Sequence, residues 1–363
     1  MSEMTADPAA TATGPRSAAG RRLRALRELT VCRMKEFLRE PEAVFWVFLF
    51  PVLLSIVLGF AFRERPPDRI PVGVVAGPGA ERTLASLERS PGLLPRPYAA
   101  AEGREALRTG KVSLLVEPGP PVTFRFDPTR PESRIARLEA DDALQRAAGR
   151  ADLLPVRSEE VTEKGARYID FLIPGLLGMN LMGTGIWSLA FSITTARNRR
   201  ILKRLIATPM RRSDYLLSQI AGRLVFLPPE IVVLAGFGWL AFDVPMRGSL
   251  LLLLGVCLLG AVSFCGLGLL IASRVRTIEG ASGLANLVMM PMWLLSGVFF
   301  SAERFPDVVQ PLIRALPLTA LNESLRAVMN EGHGLVQIAP QLAILAAWGL
   351  ASFAVALRIF RWK

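Results

Sequence analysis

Histidine is almost absent from these 363 residues. His333 is the one example, and it sits between Gly332 and Gly334. A single imidazole flanked by glycines reads as a turn residue, not as a base or a ligand. There are three cysteines: Cys32 lies before the first long apolar block, and Cys257 and Cys265 lie inside the fourth. No His or Cys spacing suits a metal site. No cysteine falls in the long polar segment 63–168, so no disulfide framework is implied there. A phosphate-binding loop is lacking too. Gly110-Lys111 comes nearest, but Val112 stands where Ser or Thr is needed and Glu105 where the first glycine is needed. Apolar blocks without His or paired carboxylates argue against an intramembrane enzyme. The chain is expected to be no enzyme and to bind no metal, nucleotide or other cofactor itself.

Apolar sequence is what the chain has in excess. Hydrophobic residues make up 51% and charged residues 20%, with a mean hydropathy of +0.37. The apolar residues come in blocks, not at a helix or strand period. A span needs about 20 mostly apolar residues. Six segments meet or approach this: 43–62, 171–194, 224–242, 249–273, 283–300 and 336–360. The expected fold class is an α-helical polytopic membrane protein with six transmembrane helices, an N-terminal amphipathic interfacial helix and a small α/β domain between the first two spans. Prolines inside two blocks mark kinks, since neighbouring helices can satisfy the freed carbonyls.

The net charge of +12 is unevenly spread. Eight Lys or Arg precede Ala43 and eight more lie in 196–223. Arg274 and Arg276 follow the fourth block, and Arg358, Arg361 and Lys363 close the chain. The alternate connections hold Arg247, Arg304, Arg314 and Arg326. The positive-inside rule then places both ends and 196–223 in the cytoplasm of a cell-membrane protein. The basic residues suit anionic lipid as a partner. Scattered over membrane-proximal segments, they do not suit nucleic acid.

Residues 1–20 are rich in Ala, Thr, Pro and Gly without an apolar core, and are expected to form a disordered tail and not a signal peptide. In 21–41, Leu23, Leu26, Val31, Met34, Phe37 and Leu38 share one helical face up to the break at Pro41, the pattern of an interfacial helix. Segment 63–168 is expected outside the cytoplasm. Residues 70–75, 112–116 and 122–126 read as strands, and 81–89 and 132–148 as helices, in the order strand, helix, strand, strand, helix.

Polar residues inside spans are candidate functional positions. Asn180 and Thr184 fall in the second block and Asn286 in the fifth; the asparagines either bind helices together or line a path. Glu230 follows Pro228-Pro229 in the third, either well inside the bilayer or at its edge. Gly175, Gly178, Gly183 and Gly185 permit close helix contact. In the connection 196–223, Ile201, Leu202, Leu205 and Ile206 form an apolar stripe closed by Pro209, with Ser213 able to cap a following helix. Segment 301–335 is too apolar for a free loop and too interrupted for a span, so two short helices dipping into the outer face are expected.

Three passages together resemble the permease subunits of type-2 ABC exporters, the group that includes daunorubicin-resistance permeases. They are Tyr168-Ile-Asp-Phe-Leu-Ile-Pro-Gly-Leu-Leu-Gly-Met-Asn180, Leu202-Lys-Arg-Leu-Ile-Ala-Thr-Pro-Met-Arg-Arg-Ser-Asp-Tyr-Leu216, and Leu295-Ser-Gly-Val-Phe-Phe followed by Pro317-Leu-Thr and Glu323-Ser-Leu-Arg326. The resemblance covers nearly everything from Arg21. It implies a connecting helix at 21–41 and a coupling helix that docks on a separate ABC ATPase subunit. The coupling residues would be Ile201, Leu202, Arg204, Leu205, Ile206, Pro209, Arg211 and Arg212. Re-entrant helices near an outer gate would carry Glu323 and Arg326. A second permease subunit, identical or not, would complete the pathway, chiefly through spans two and five. ATP and Mg would be used by the partner. Many relatives carry acidic residues and a Gly where this chain has Arg197-Asn-Arg-Arg200, so the contacts that hold the ATPase differ. The implied function is export of an amphipathic or lipid-like molecule by alternating access. The residues alone also leave open an ion-coupled secondary transporter using Glu230. A membrane sensor is the third reading, and it would need a cytoplasmic signalling domain.

Overall fold

The computed structural model describes residues 27–62 apart from 29, 33 and 36, then 69–151, 154, 165, 167–201 and 212–360. It divides into two compact units: a membrane unit from 1–63 and 162–363, and a small unit from 64–161.

Six helices of the membrane unit are long and apolar enough to cross a bilayer. They are α1 Pro41–Ala61, α5 Tyr168–Asn198, the pair α6 Arg212–Val225 and α7 Leu227–Phe242, α8 Leu250–Arg274, α9 Ile278–Leu295 and α12 Ala339–Ile359. The third of these spans runs from Tyr215 to Phe242. The helix that carries this span therefore starts nine residues before the 224 that hydropathy gives, and Arg223 lies within that helix. Hydropathy places the boundary after Arg223 because an isolated arginine looks expensive in lipid. The fifth span also starts earlier than 283, at Ile278, where the Thr277 hydroxyl accepts from the Gly280 N–H and caps the helix.

Helix α5 is the centre of this unit. It packs along α8, α9 and α11 (Pro317–Arg326), and its buried residues run from Ile169 to Ala196. Small residues let α8 lie against it: a Cβ on Gly268 would come 2.7 Å from the Ile186 carbonyl oxygen. Before α1, the described residues between 27 and 38 are helical. Val31, Met34 and Phe37 are half-buried while Cys32 and Lys35 are exposed, as the amphipathic pattern predicts. The Phe37 ring meets that of Phe226 at 4.3 Å.

After α9, the chain makes a 3-10 turn Ala302–Arg304, then α10 Gln310–Ala315 and α11, which ends in a π turn Ala327–Glu331. Two short helices are thus found where the interrupted apolar pattern calls for them. Helix α11 is almost wholly buried against α5, α8 and α12.

The small unit contains β1 Ile70–Val75, α2 Ala80–Glu88, β2 Leu93–Tyr98, α3 Ala100–Arg108, β3 Leu114–Glu117, β4 Thr123–Phe126 and α4 Pro131–Ala147. The sheet order is β2-β1-β3-β4, with parallel pairs except β3–β4. This corrects the expected order by one strand and one helix. Strand β2 carries Pro95 and Pro97, which are tolerated because it is an edge strand. Helix α3, AAEGREALR, offers few large apolar residues to reveal it. Val72, Val74, Leu87, Leu93, Leu114, Val116, Ala136 and Ala140 form its core.

Candidate functional site

The second span carries a polar stripe at four-residue spacing: Asn180, Thr184, Ser188 and Ser192. Such residues share one helix face. The third span answers it with Gln219, Arg223 and Glu230. Ser192 Oγ donates to Gln219 Oε1 at 2.9 Å. One terminal nitrogen of Arg223, Nη2, donates both to Thr184 Oγ1 and, at 2.8 Å, to Glu230 Oε2. The side chains of Arg223 and Glu230 are only 4% and 1% exposed. Glu230 is thus deep in the protein and paired. Removing one partner of such a pair strands a charge, at a cost of about 3–5 kcal/mol. Arg223 is the partner of Glu230 that sequence reading missed, because it was counted only among the basic residues of 196–223. Its spacing of seven from Glu230 was the available signal.

Asn180 binds helices together. Its Nδ2 donates to the Val47 carbonyl at 3.1 Å, and its own carbonyl accepts from Thr184 Oγ1 at 2.7 Å. Asn286 differs. It lies at the middle of α9 on an exposed face with Leu284, Leu287, Met290 and Leu294.

A second constellation joins the start of α5 to the short helices. Arg326 Nη2 donates to the Gly297 carbonyl, its Nε donates to the Phe171 carbonyl at 3.2 Å, and its guanidinium lies 3.6 Å from the Phe171 ring centroid. Asn322 Nδ2 donates to the Ser296 carbonyl at 2.9 Å. Tyr168 Oη donates to the Phe299 carbonyl at 3.2 Å. The fully buried Asp170 carboxylate accepts from the N–H groups of Gly165 and Arg167 and from the Arg167 guanidinium. The glycines of this stretch allow the approach: a Cβ on Gly175 would come 2.6 Å from the Val298 carbonyl oxygen, and one on Gly178 2.0 Å from Asn322 Oδ1. Glu323, by contrast, is exposed and accepts from Gln341 Nε2 at 3.3 Å.

At the other end of α5, the Arg197 guanidinium donates to the carbonyls of Ala272 and Val275, and lies over the Phe360 ring at 5.5 Å. The last turn of α8 thus receives a cation where its carbonyls need donors. Of the coupling residues, Ile201 ends the described part of this segment and is exposed, and Arg212 opens α6. Leu202, Arg204, Leu205, Ile206, Pro209 and Arg211 lie outside the described residues.

Residues 42–358 match the family described as "ABC-2 family transporter protein". The chain belongs to this ABC-2 family. Its relatives include a "Probable multidrug ABC transporter permease YbhS" of Escherichia coli (strain K12), 25% identical over 350 residues, covering 85% of this chain and 89% of that protein. The YbhR permease of the same organism is also 25% identical, over 52% of each chain. "ABC transporter G family member 20" of Dictyostelium discoideum is 27% identical over 50% of this chain and 25% of its own length. An ABC-2 permease is a multi-pass membrane protein of a transport family, in keeping with the six apolar helices. All three passages that carried the resemblance fall inside the family match. Two of them form the constellation around Arg326. The remaining one spans the segment between α5 and α6.

Proposed function

We propose that this ABC-2 permease exports an amphipathic or lipid-like molecule by alternating access, driven by a separate ATPase subunit and completed by a second permease subunit. The observation that carries the reading is Asn286, a polar side chain on an exposed face halfway along an apolar helix. An amide in contact with lipid tails has no hydrogen-bond partner, and each such group costs several kcal/mol. A second subunit or a polar part of the substrate supplies one. The multidrug wording in the name of the Escherichia coli relative supports the substrate class.

In this reading both ends and 196–223 lie in the cytoplasm, and the small α/β unit and 301–335 lie outside. Residues Ile201–Arg212 dock on the ATPase. ATP binding closes the ATPase pair, the coupling segments move, and the spans rock to release substrate outward. The ligand shifts the equilibrium only through contacts that differ between the two states, and those are at the coupling segment. The buried pairing of Glu230 with Arg223 speaks for a structural use of that carboxylate over an ion-carrying one.

The test is co-expression with candidate ABC ATPase subunits and reconstitution of the complex into vesicles. ATP-dependent export with substrate-stimulated hydrolysis is expected. The L205D variant is expected to insert normally but to uncouple hydrolysis from export. Normal stimulated hydrolysis and export in L205D would defeat the coupling assignment.

A further inference from the structure

Arg223 and Glu230 sit on either side of a break in the third span. Helix α6 ends at Val225, Phe226 is a turn residue, and α7 starts at Leu227. The break has a covalent cause. Pro228 and Pro229 have no N–H to offer the carbonyls of Leu224 and Val225, and their rings crowd those carbonyls. Phe226 instead closes a tighter turn, its N–H donating to the Arg223 carbonyl at 3.2 Å.

Geometry places the ion pair opposite the prolines. Seven residues turn a helix through two turns less about 20°, so Arg223 and Glu230 share a face. From Arg223, the two prolines fall at about 140° and 240° around the axis. The burial agrees: Pro228 and Pro229 are exposed, while Arg223 and Glu230 are buried. Proline rings crowd the backbone on their own face, so any bend at this point runs toward the face that holds the pair. Along a helix seven residues rise about 10.5 Å, a span that the two long side chains bridge together. The pair closes at 2.8 Å across the break.

Two neighbours bear on this point. Thr184 of α5 accepts from the same Arg223 nitrogen, which ties the joint to the second span. Phe37 of the N-terminal helix packs on Phe226, the residue at the break. Meanwhile Nε and Nη1 of Arg223 and the hydroxyl of Ser188 are buried without partners among the described residues. Ser188 is one turn from Thr184 on the same stripe. The arrangement thus leaves donors and an acceptor for a second setting of the guanidinium.

We propose that Arg223 and Glu230 form a strut across a diproline hinge, and that this strut sets whether α7 follows when α6 moves. Both are positioning residues and neither touches the transported molecule. The inference rests on the reading that motion enters this span from the coupling segment just before α6. Without the strut the two halves bend independently, and motion at α6 is spent at the hinge.

The experiment has two readouts on the full chain with its ATPase partner. The first is transported molecules per ATP hydrolysed in vesicles. The second is a spin-label distance between L217C and L240C, both exposed positions on either side of the break, with Cys32 replaced by serine. In E230Q and R223Q the distance distribution is expected to broaden. Transport per ATP is expected to fall at least about fivefold, the lower range of coupling between sites, while hydrolysis continues. The reversed pair R223E/E230R is expected to recover both. Adding P228A/P229A to E230Q is expected to narrow the distance again by restoring a continuous helix. If E230Q fails to insert, R223Q carries the test alone, since it removes the one nitrogen, Nη2, that reaches both Thr184 and Glu230. An unchanged distance distribution in these variants overturns the strut, whatever happens to transport. A wild-type complex without ATP-dependent export overturns the functional reading instead, and the distances still decide the hinge.

Discussion

Asn180 donates to the carbonyl of Val47, which lies four residues before Pro51 in the π turn Phe45–Leu49 of the first span. The same device recurs in the second span. Pro174 cannot donate to the Asp170 carbonyl, and Asn330 Nδ2 reaches that oxygen at 2.8 Å. Each proline lies four residues after a carbonyl that an asparagine from another element reaches. N180L is expected to keep its packing volume and lose this bond. Bonds of this kind in membranes average about 0.6 kcal/mol, so a fall of about 1 °C in unfolding temperature in detergent is expected. The N180L/P51A double variant, with an N–H restored four residues after Val47, is expected to recover part of the loss. Equal losses in the single and double variants would count against the repair.

Much of this architecture was legible in the sequence, and the parts that were not have physical causes. Long apolar runs announce themselves because lipid demands them, and all six spans stand where such runs do. The interrupted apolar pattern in 301–335 likewise reported two short helices, of which α11 is buried and α10 largely exposed. The pairing of Arg223 was missed because hydropathy prices residues one at a time, while Arg223 and Glu230 meet from seven residues apart. Asn330 was overlooked because nothing local links it to Pro174. In the small unit, β2 was hidden by prolines that only an edge strand accepts. Asn286 was recognised as polar and intramembrane, but its position on an exposed face needed the packing of its neighbours.

Gly178 is a sharper test of packing. Its missing Cβ would lie 2.0 Å from Asn322 Oδ1, and Asn322 is fully buried with its amide committed to Ser296. Gly183 on the same helix has only Met289 Cε nearby, at 3.7 Å. G178A is therefore expected to destabilise the protein by about 1–3 kcal/mol, as overpacking does. G183A is expected to be neutral or slightly stabilising. Unfolding temperatures of the two in one detergent give the comparison, and equal behaviour would refute the close-approach argument.

Arg326 cannot be replaced by lysine without loss. Its planar group reaches two backbone carbonyls and lies on the Phe171 ring at once. A lysine ammonium lacks the plane and the fork. R326K is expected to resemble R326A in unfolding temperature, and F171L is expected to remove only part of the stability. Full rescue by lysine would mean that charge alone matters there.

The small unit offers a pH test. The Arg108 guanidinium, bonded to Glu105 at 2.6 Å, holds that carboxyl below its ordinary range. The Thr129 hydroxyl and then its N–H do the same for Asp127. A depressed folded-state pKa contributes stability at pH above the unfolded value, lost as pH falls through the folded one. The direction is thus acid sensitivity below the ordinary carboxylate range, and it is small because water reaches and screens both groups. Carboxyl titration by NMR on residues 64–161 is expected to show both groups titrating low. E105Q is expected to flatten the acid limb slightly, and ordinary values for both would remove the effect.

Asn286 decides how many subunits make the pathway. It stands at the middle of α9 with Leu287 and Leu294 beside it, each 69% exposed. A lone monomer would set this amide in lipid. If a second subunit covers it, L287C is expected to cross-link two chains in membranes, and N286L is expected to weaken that association while leaving each chain folded. If substrate covers it, N286L is expected to change the concentration dependence of transport and leave cross-linking alone. Cross-linking in membranes beside transport titration separates the two. An N286L variant unchanged in both would show that the amide serves neither purpose.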